Sequence, residues 1–567
     1  LRRYNLLDEK WIAVIRLDGQ GTELVSLKEL FAHAQDYYDL AGEMKTQDFA
    51  VLRFLLAVVQ TVFSRFDSEG NPYEMMEIDR ETFRQLEPVE MEDFDDEDPL
   101  FDTWLALWQK GAFPEIVQVY LEKWREHFNL FDEQVPFCQI TQAEMDQLAA
   151  GGGQFFGKNL NRTISESNNK SALFAPAAEE AKDRLSYDQL VRWLLTFQGY
   201  TGTGDKKKVR NTSLPCSKGW LYDLGGVYLK GHNLFETLML NCILSVEFDK
   251  DIDDDILRVQ NPAWERSPAE NVEVCFDHRI DNRAALYTSW SRAISFDQDY
   301  QEGNPFSCYI AKLPEIEHAD NFLEPMTCWS WNKTGPNKDH FLPKKHRPEE
   351  AIWRNFSTLM GVDGEEGAKF RKPGILAWYY KICKSGSMDA LAHLKITISS
   401  VSMRDDGNAT SWSPVDEIID EIQMETAVLV DDNKDGWLAQ INSLVNTSRS
   451  QIDQTLGRFL RQLTVIRGFD SKDNHLVNQG REELYQEIDR SFRNWLYGIQ
   501  ESDSMNDKAL EWYSILERAI REHGDRIYRS ASLRDLKGIN TDGKSLNIAT
   551  AYNSFVRQIN IQFHQNA

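Results

Sequence analysis

The sequence predicts an α+β protein: a large mixed α/β domain with long loops over residues 1–429, then a four-helix bundle over residues 430–567. Three observations carry this expectation. Four successive amphipathic stretches of similar length close the chain, as a bundle requires. Ahead of them, helical periodicity is interspersed with period-two alternation. Between residues 149 and 178 both periods give way to Gly and Asn, and a loop that long inside a compact domain is commonly functional.

Taken in order, Trp11–Arg16 (Trp-Ile-Ala-Val-Ile-Arg) reads as a strand, and Ser26-Leu-Lys-Glu29 is a capping box opening a short helix. Thr46 to Phe63 is the first strong helix. Phe49, Leu52, Leu56, Val59 and Phe63 share one face, and Leu55, Val58 and Val62 widen it into a buried one. Residues 87–102 form an acidic loop in which Glu90, Glu92, Asp93, Asp95, Asp96, Glu97 and Asp98 match no Ca²⁺ spacing, so a solvated, self-repelling loop is expected. Ala106–Phe131 is mostly helix, broken near Pro114. Asn233–Leu244 is a buried helix, and Ala285–Phe296 and Leu394–Ser402 alternate as strands. Cys275-Phe-Asp-His278-Arg-Ile-Asp281 is the nearest approach to a reactive cluster, and a strand with alternating polar residues accounts for it. Asp431–Gly436 reads as a linker into the bundle. The bundle stripes begin with Leu438, Ile441, Leu444 and Val445 and continue near 478–500, 505–528 and 545–563.

Composition bounds the function. A chain of 567 residues with 41% hydrophobic residues and sixteen Trp has room for several domains and large cores. No apolar run approaches the ~20 residues of a membrane span, and the opening residues lack a signal peptide's apolar core. Seven dispersed cysteines without a C-x-x-C pair predict reduced thiols and a cytoplasmic protein. The formal charge of −27 opposes coating of the whole surface by nucleic acid, so any such contact is local.

One island has the opposite sign. Gly199, Tyr200, Thr201, Gly202, Thr203 and Gly204 lead into Lys206, Lys207, Lys208 and Arg210, with Lys218 following and only Asp205 opposing. Glycines admit positive φ and close backbone approach, and a cationic run beside them suits the phosphates of a polyanion. A solvated loop between two helices accounts for the same residues, and both readings stand. A nucleotide-binding P-loop does not. Asp205 occupies the required Lys position, and the segment before the glycines is helical where a strand is needed. A second candidate interleaves Lys333, Lys338, Lys344, Lys345, Arg347 and Arg354 with Trp329, Trp331, His340, Phe341, His346 and Trp353. Nucleic-acid stacking and half-buried, snorkelling cations explain it equally. No H-E-x-x-H or G-x-S-x-G pattern occurs.

These residues add up to a resemblance. The chain is similar to the large subunit, the CasA family, of the type I-E CRISPR surveillance complex, Cascade. It carries Asn5-Leu6-Leu7 with Trp11-Ile12, and Tyr120-Leu121…Trp124…Phe128-Asn129-Leu130 leading to Pro136-Phe137-Cys138-Gln139. It also carries Asn168-Asn169-Lys170-Ser-Ala-Leu173-Phe174, the Trp193…Gln198 helix into a glycine loop, Asn233-Leu-Phe-Glu-Thr-Leu…Asn241, and Thr288-Ser-Trp290-Ser-Arg292. The resemblance implies a non-enzymatic subunit without a cofactor. Its expected partners are the Cascade backbone and small subunits, the crRNA 5′ end, target double-stranded DNA and a separately recruited helicase–nuclease, with no membrane. It implies that Gly199–Gly204 with Lys206, Lys207, Lys208 and Arg210 reads a protospacer-adjacent motif from the minor groove, whose pattern is degenerate. It places Asn168, Asn169, Lys170 and Phe174 beside the crRNA and the motif. It also makes Asn408, on the hairpin Arg404–Thr410, a strand-opening wedge where the family carries Gln. Two other classes stay open: a protein–protein scaffold that touches no DNA, and a metal-dependent nuclease using the acidic loop.

Overall fold

The computed structural model describes residues 4–94, 98–149, 151–161, 178, 181–203, 207–246, 258–277, 280–348, 350–361, 369–385, 394–407, 414–470, 472–541 and 544–564. It is an α+β fold of small sheets and many helices, dividing into two compact units. The first comprises Leu1–Pro348, Glu365–Ser387 and Ile398–Glu421, and the second Glu349–Gly364, Met388–Thr397 and Ile422–Ala567.

The first unit is built around the helix Lys45–Phe63, in which every residue after Lys45 is buried. By length and composition this helix is apolar enough to span a membrane, which corrects the expectation that no run reaches that length, and it is entirely buried as core. Its N-terminus has no cap of its own. Instead the Glu417 carboxylate, from the strand Pro414–Glu425, accepts from the backbone N–H groups of Lys45 and Thr46 at 3.1 and 2.8 Å. A carboxylate there satisfies orphan donors and opposes the positive end of the helix dipole.

Two buried arginines tie this helix to distant chain. Arg53 donates to both Glu324 oxygens at 2.7 Å, and Trp220 Nε1 and the Met326 N–H also donate to that carboxylate at 2.7 and 2.9 Å. Burial pushes the Glu324 carboxyl up, but Arg53 and the other donors bring it below its ordinary value. Arg65 pairs with Glu265 at 2.7 and 3.0 Å, and Tyr120 donates to the same carboxylate at 2.5 Å.

Around this core lie three-stranded sheets. Thr22–Val25, Ile12–Arg16 and Tyr37–Leu40 form one, with the Ser26–Glu29 capping box present as expected after its edge strand. Gly153–Phe156, Ser307–Lys312 and Arg292–Phe296 form an antiparallel second. Pro414–Glu425, Lys395–Asp405 and Gly226–Lys230 form a third.

Four local expectations change. Residues 275–277 close the helix Pro268–Asp277 and are not a strand, because Asn271, Val272 and Cys275 follow helical spacing into the core. The run from Ala285 is a short helix, Arg283–Tyr287, capped by Asn282, before the strand Arg292–Phe296 begins. Asp98 belongs to no solvated loop. It caps the helix Pro99–Lys110 by accepting from the Phe101 N–H at 3.1 Å and pairs with Lys381 at 3.1 Å. The glycine-rich stretch after 150 includes the strand Gly153–Phe156.

The second unit is helical. Trp437–Ile452, a π turn at Asp453–Gly457 and Arg458–Ile466 run without a break, followed by His475–Tyr497, Met505–Arg529 and Ile548–His564. Gly524 sets one close approach: a Cβ there would stand 2.1 Å from the ring of Phe555, which itself stacks on Phe459. Residues N-terminal to 430 join this unit too. Trp353 stacks on Phe492 at 4.1 Å and donates to Asp489, and Arg354 forms a bidentate pair with Glu482 at 2.6 and 3.0 Å.

Candidate nucleic-acid interface

The helix Tyr187–Tyr200 delivers the glycine segment. Leu190, Trp193, Leu194 and Phe197 are buried along one side of it, and the Gln189 side chain accepts from the Ser186 N–H at 3.1 Å to start it. Gly199 and Tyr200 are its last two residues. Gly199 has no positive φ. Its lack of a side chain serves packing, since a Cβ would lie 2.7 Å from Leu221 Cδ1. Tyr200 is 1% exposed. Thr201, whose carbonyl accepts from the Gly219 N–H at 3.0 Å, and Gly202 are buried too, so the part of the segment that leaves the core begins after Gly202.

Two buried cations then hold the next two carbonyls. Arg292 Nη2 donates to the Gly202 carbonyl at 2.5 Å, and Lys312 Nζ donates to the Thr203 carbonyl at 2.7 Å. Gly204, Asp205 and Lys206 lie outside the described residues. At Lys207 the chain runs along the edge of the sheet that contains Ser307–Lys312. The Lys312 N–H donates to the Lys207 carbonyl and the Val209 N–H to the Lys312 carbonyl, both at 2.9 Å. Val209 is fully buried in the core formed with Ile140, Ala293 and Leu313, while Lys207 and Lys208 are exposed. Among the described residues no carboxylate pairs with either lysine.

The other described basic residues of the island are engaged. Arg210, at φ +58°, forms a two-pronged pair with Glu273 and sits 5.0 Å from the Phe276 ring. Its guanidinium rises above its usual pKa through the hydrogen bond to Glu273. Lys218 reaches both Asp223 oxygens at 3.0 Å. Lys218 and Lys345 lie 5.0 and 4.3 Å from the buried Tyr222 ring, and Lys345 also pairs with Asp405 at 3.2 Å. Burial lowers Lys345, with Asp223 and Asp405 partly offsetting it.

The second basic and aromatic region is split by the fold. Trp329–Trp331 is the middle strand of a small antiparallel sheet with Phe341–Pro343 and Phe370–Arg371. Its cations lie along aromatic faces: Lys369 at 4.8 Å from Trp331, Lys344 at 5.7 Å from Phe370, Arg371 at 4.0 Å from Phe322. Those contacts are the snorkelling arrangement. Trp353 and Arg354 belong to the helical unit.

Asn168, Asn169, Lys170, Phe174 and Asn408 lie outside the described residues. Their surroundings are partly visible. Asp405 ends the strand Lys395–Asp405, and Gly407 follows at φ +71°, the left-handed turn expected at a hairpin tip. Sequence reasoning missed Lys312 and Tyr222. Nothing in their local pattern marks them, because each reaches its partner across chain folded from far away.

A family model described as CRISPR-associated protein Cse1 matches residues 5–523. The chain belongs to the Cse1 family. A curated relative from Thermus thermophilus, the CRISPR-associated protein CasA/Cse1, is 24% identical over 371 residues, covering 64% of this chain. The match spans 61% of that relative's length. Among solved structures, Thermobifida fusca Cse1 superposes with a TM-score of 0.79 at 21% identity, covering 99% of this chain and 98% of that one. Cse1 from Acidimicrobium ferrooxidans gives 0.70 at 18% identity, covering 99% and 98%. A chain of a CRISPR RNA-guided surveillance complex gives 0.61 at 15%, covering 93% of this chain and all of its own. The Cse1 fold is therefore that of the whole chain, and the CasA-family resemblance read from the sequence is borne out.

Proposed function

We propose that this Cse1-family chain is the large subunit of a type I-E RNA-guided surveillance complex. In this reading it inspects duplex DNA for a short protospacer-adjacent motif, destabilises the duplex beside it to start R-loop formation, and helps recruit a helicase–nuclease. Its partners are the Cascade backbone and small subunits, the crRNA 5′ end and the target duplex. It performs no catalysis itself and needs no cofactor.

The observation that carries the DNA reading is the pair Lys207 and Lys208. In a chain of net charge −27, they are exposed and unopposed among the described residues, on a backbone pinned by pairing with Lys312. Lysines so placed suit phosphates, which fix position without reading sequence. Gly202 and Thr203, whose carbonyls are held by Arg292 and Lys312, precede the pair in the chain, and the minor groove offers ~6 Å for a slender backbone. The likeness to a surveillance-complex chain supports the assembly.

A scaffold reading keeps one supporting observation: Arg210 and Lys218 are already paired with Glu273 and Asp223, which thins the cationic island. A gel shift on a motif-bearing duplex, with and without the other subunits, separates the readings. A motif-dependent shift supports DNA inspection. No shift at any protein concentration, with assembly intact, supports the scaffold, and Mg²⁺-dependent cleavage supports a nuclease.

A further inference from the structure

The two feet of the glycine and lysine segment stand on one cross-strand pair. Arg292 begins the strand Arg292–Phe296, Lys312 ends the strand Ser307–Lys312, and the two residues are partners in the antiparallel register. The first foot is the pair of carbonyls at Gly202 and Thr203, which accept from Arg292 Nη2 and Lys312 Nζ at 2.5 and 2.7 Å. The second foot is Lys207–Val209, whose backbone shares two hydrogen bonds with that of Lys312, both at 2.9 Å. Arg292 is fully buried and Lys312 is 9% exposed. One lysine therefore holds both ends of the segment, the glycine end by its side chain and the lysine end by its main chain.

Arg292 is itself locked to the helix that delivers the glycines. Gln198 Oε1 accepts from the Ser291 and Arg292 N–H groups at 2.9 and 3.1 Å, and Gln198 Nε2 donates to the Arg292 carbonyl at 2.9 Å. Ser291 Oγ donates to the Gln198 carbonyl at 2.7 Å, and Arg292 Nη1 donates to the Ser291 carbonyl at 2.9 Å. The Trp193…Gln198 run and the Thr288–Arg292 segment, far apart in sequence, thus meet end to end beneath the glycines. A buried charge is tolerated where oxygens accept from it, and a hydrogen bond from a charged donor is stronger than a neutral one. The arrangement fixes where the Gly202–Thr203 backbone stands relative to Lys207 and Lys208.

Phosphate contacts set the register of a protein on a duplex, and groove contacts set its preference. Discrimination therefore depends on a fixed offset between the two elements, which only a supporting shell can hold. We infer that Lys312, with Arg292, is a positioning residue for motif discrimination. It holds the Gly202–Thr203 backbone, from which the glycine segment leaves the core, at a set offset from the phosphate-facing Lys207 and Lys208. This role rests on the DNA-inspection reading and adds the residues on which preference depends. They act through the backbone they hold and not by contact with DNA.

The test uses the assembled complex on a motif-bearing and a motif-altered duplex. Lys312→Met removes Nζ and leaves the main-chain bonds to Lys207 and Val209. The ratio of the two affinities is expected to fall roughly tenfold, the weight of one hydrogen bond to a charged group. The slope of log affinity against log salt stays the parent's, because Lys207 and Lys208 remain in place. A variant with the parent's ratio overturns the role and leaves the DNA reading standing. Equal weakening on both duplexes, or faster amide exchange at Val209, makes Lys312 a support of the sheet edge and also overturns the role. A parent that binds the two duplexes equally removes the DNA reading, and the role with it. If Lys312→Met fails to assemble, Arg292→Lys is read by the same outcomes, since it puts a single ammonium in place of the fork that spans the Ser291 and Gly202 carbonyls.

Discussion

Lys345 Nζ lies 3.2 Å from Asp405 Oδ2, and the other oxygen of that carboxylate accepts the Gly407 backbone N–H at 3.0 Å. One aspartate thus joins a lysine resting on the Tyr222 ring to the turn at a hairpin tip. The wedge proposed at Asn408 is the next residue. A side chain there enters a base stack only if the tip is held in one direction. Asp405→Ala and Lys345→Met are expected to leave affinity for a motif-bearing duplex within about threefold and to slow strand opening roughly five- to tenfold. That is the kinetic equivalent of one hydrogen bond worth about 1 kcal/mol. Delayed fluorescence of 2-aminopurine beside the motif reads the rate. An unchanged rate in both variants places the opening element elsewhere.

The helical unit carries its own prediction. Trp353 is 1% exposed and stacks on Phe492. Trp353→Ala is expected to destabilise this unit by about 3–5 kcal/mol, the usual range for truncating a large buried aromatic. Faster amide exchange along Leu484–Leu496 would show it. A fragment of residues 430–567 is expected to be soluble and helical, but to melt below the same fragment supplied with a 349–361 peptide. A peptide without effect contradicts the assignment.

A pH effect follows from Glu122. The hydrogen bond from Arg125, with Lys28 assisting, lowers its carboxyl from 4.5 to about 2. A carboxylate whose folded value is depressed contributes stability that is fully present above the unfolded value and is lost as pH falls through the folded one. Glu122→Gln is therefore expected to melt below the parent at pH 7, with the gap closing between about pH 4.5 and pH 2. The pair is partly exposed, so the gap is small. A gap that persists unchanged at pH 2 contradicts the ion pair as its cause.

Much of the fold was legible because its signals are local. The core helix, the Ser26 capping box and the bundle stripes each show their period or cap within a dozen residues. The short helix Arg283–Tyr287 and the helix through Cys275 were misread because a few apolar residues fit period two and period 3.6 alike. The candidate site was legible only as composition. Sequence marked the Gly/Lys island, but the burial of Tyr200 and the pairing of Arg210 with Glu273 depend on chain 60 or more residues away. The same distance hides the role of Lys312, which is simply the last residue of an alternating strand until the Thr203 carbonyl is brought to it.

The most direct test of the account is the salt dependence of duplex binding by the assembled complex. The parent and a Lys207→Ala/Lys208→Ala variant are titrated on a motif-bearing and a motif-altered duplex from low to moderate salt. If the two lysines neutralise phosphates, the variant binds both duplexes more weakly by the same factor. Its plot of log affinity against log salt is shallower by about 1.8, roughly 0.9 for each phosphate left without its lysine. A variant with the parent's slope, or one that changes preference between the two duplexes, contradicts the assignment.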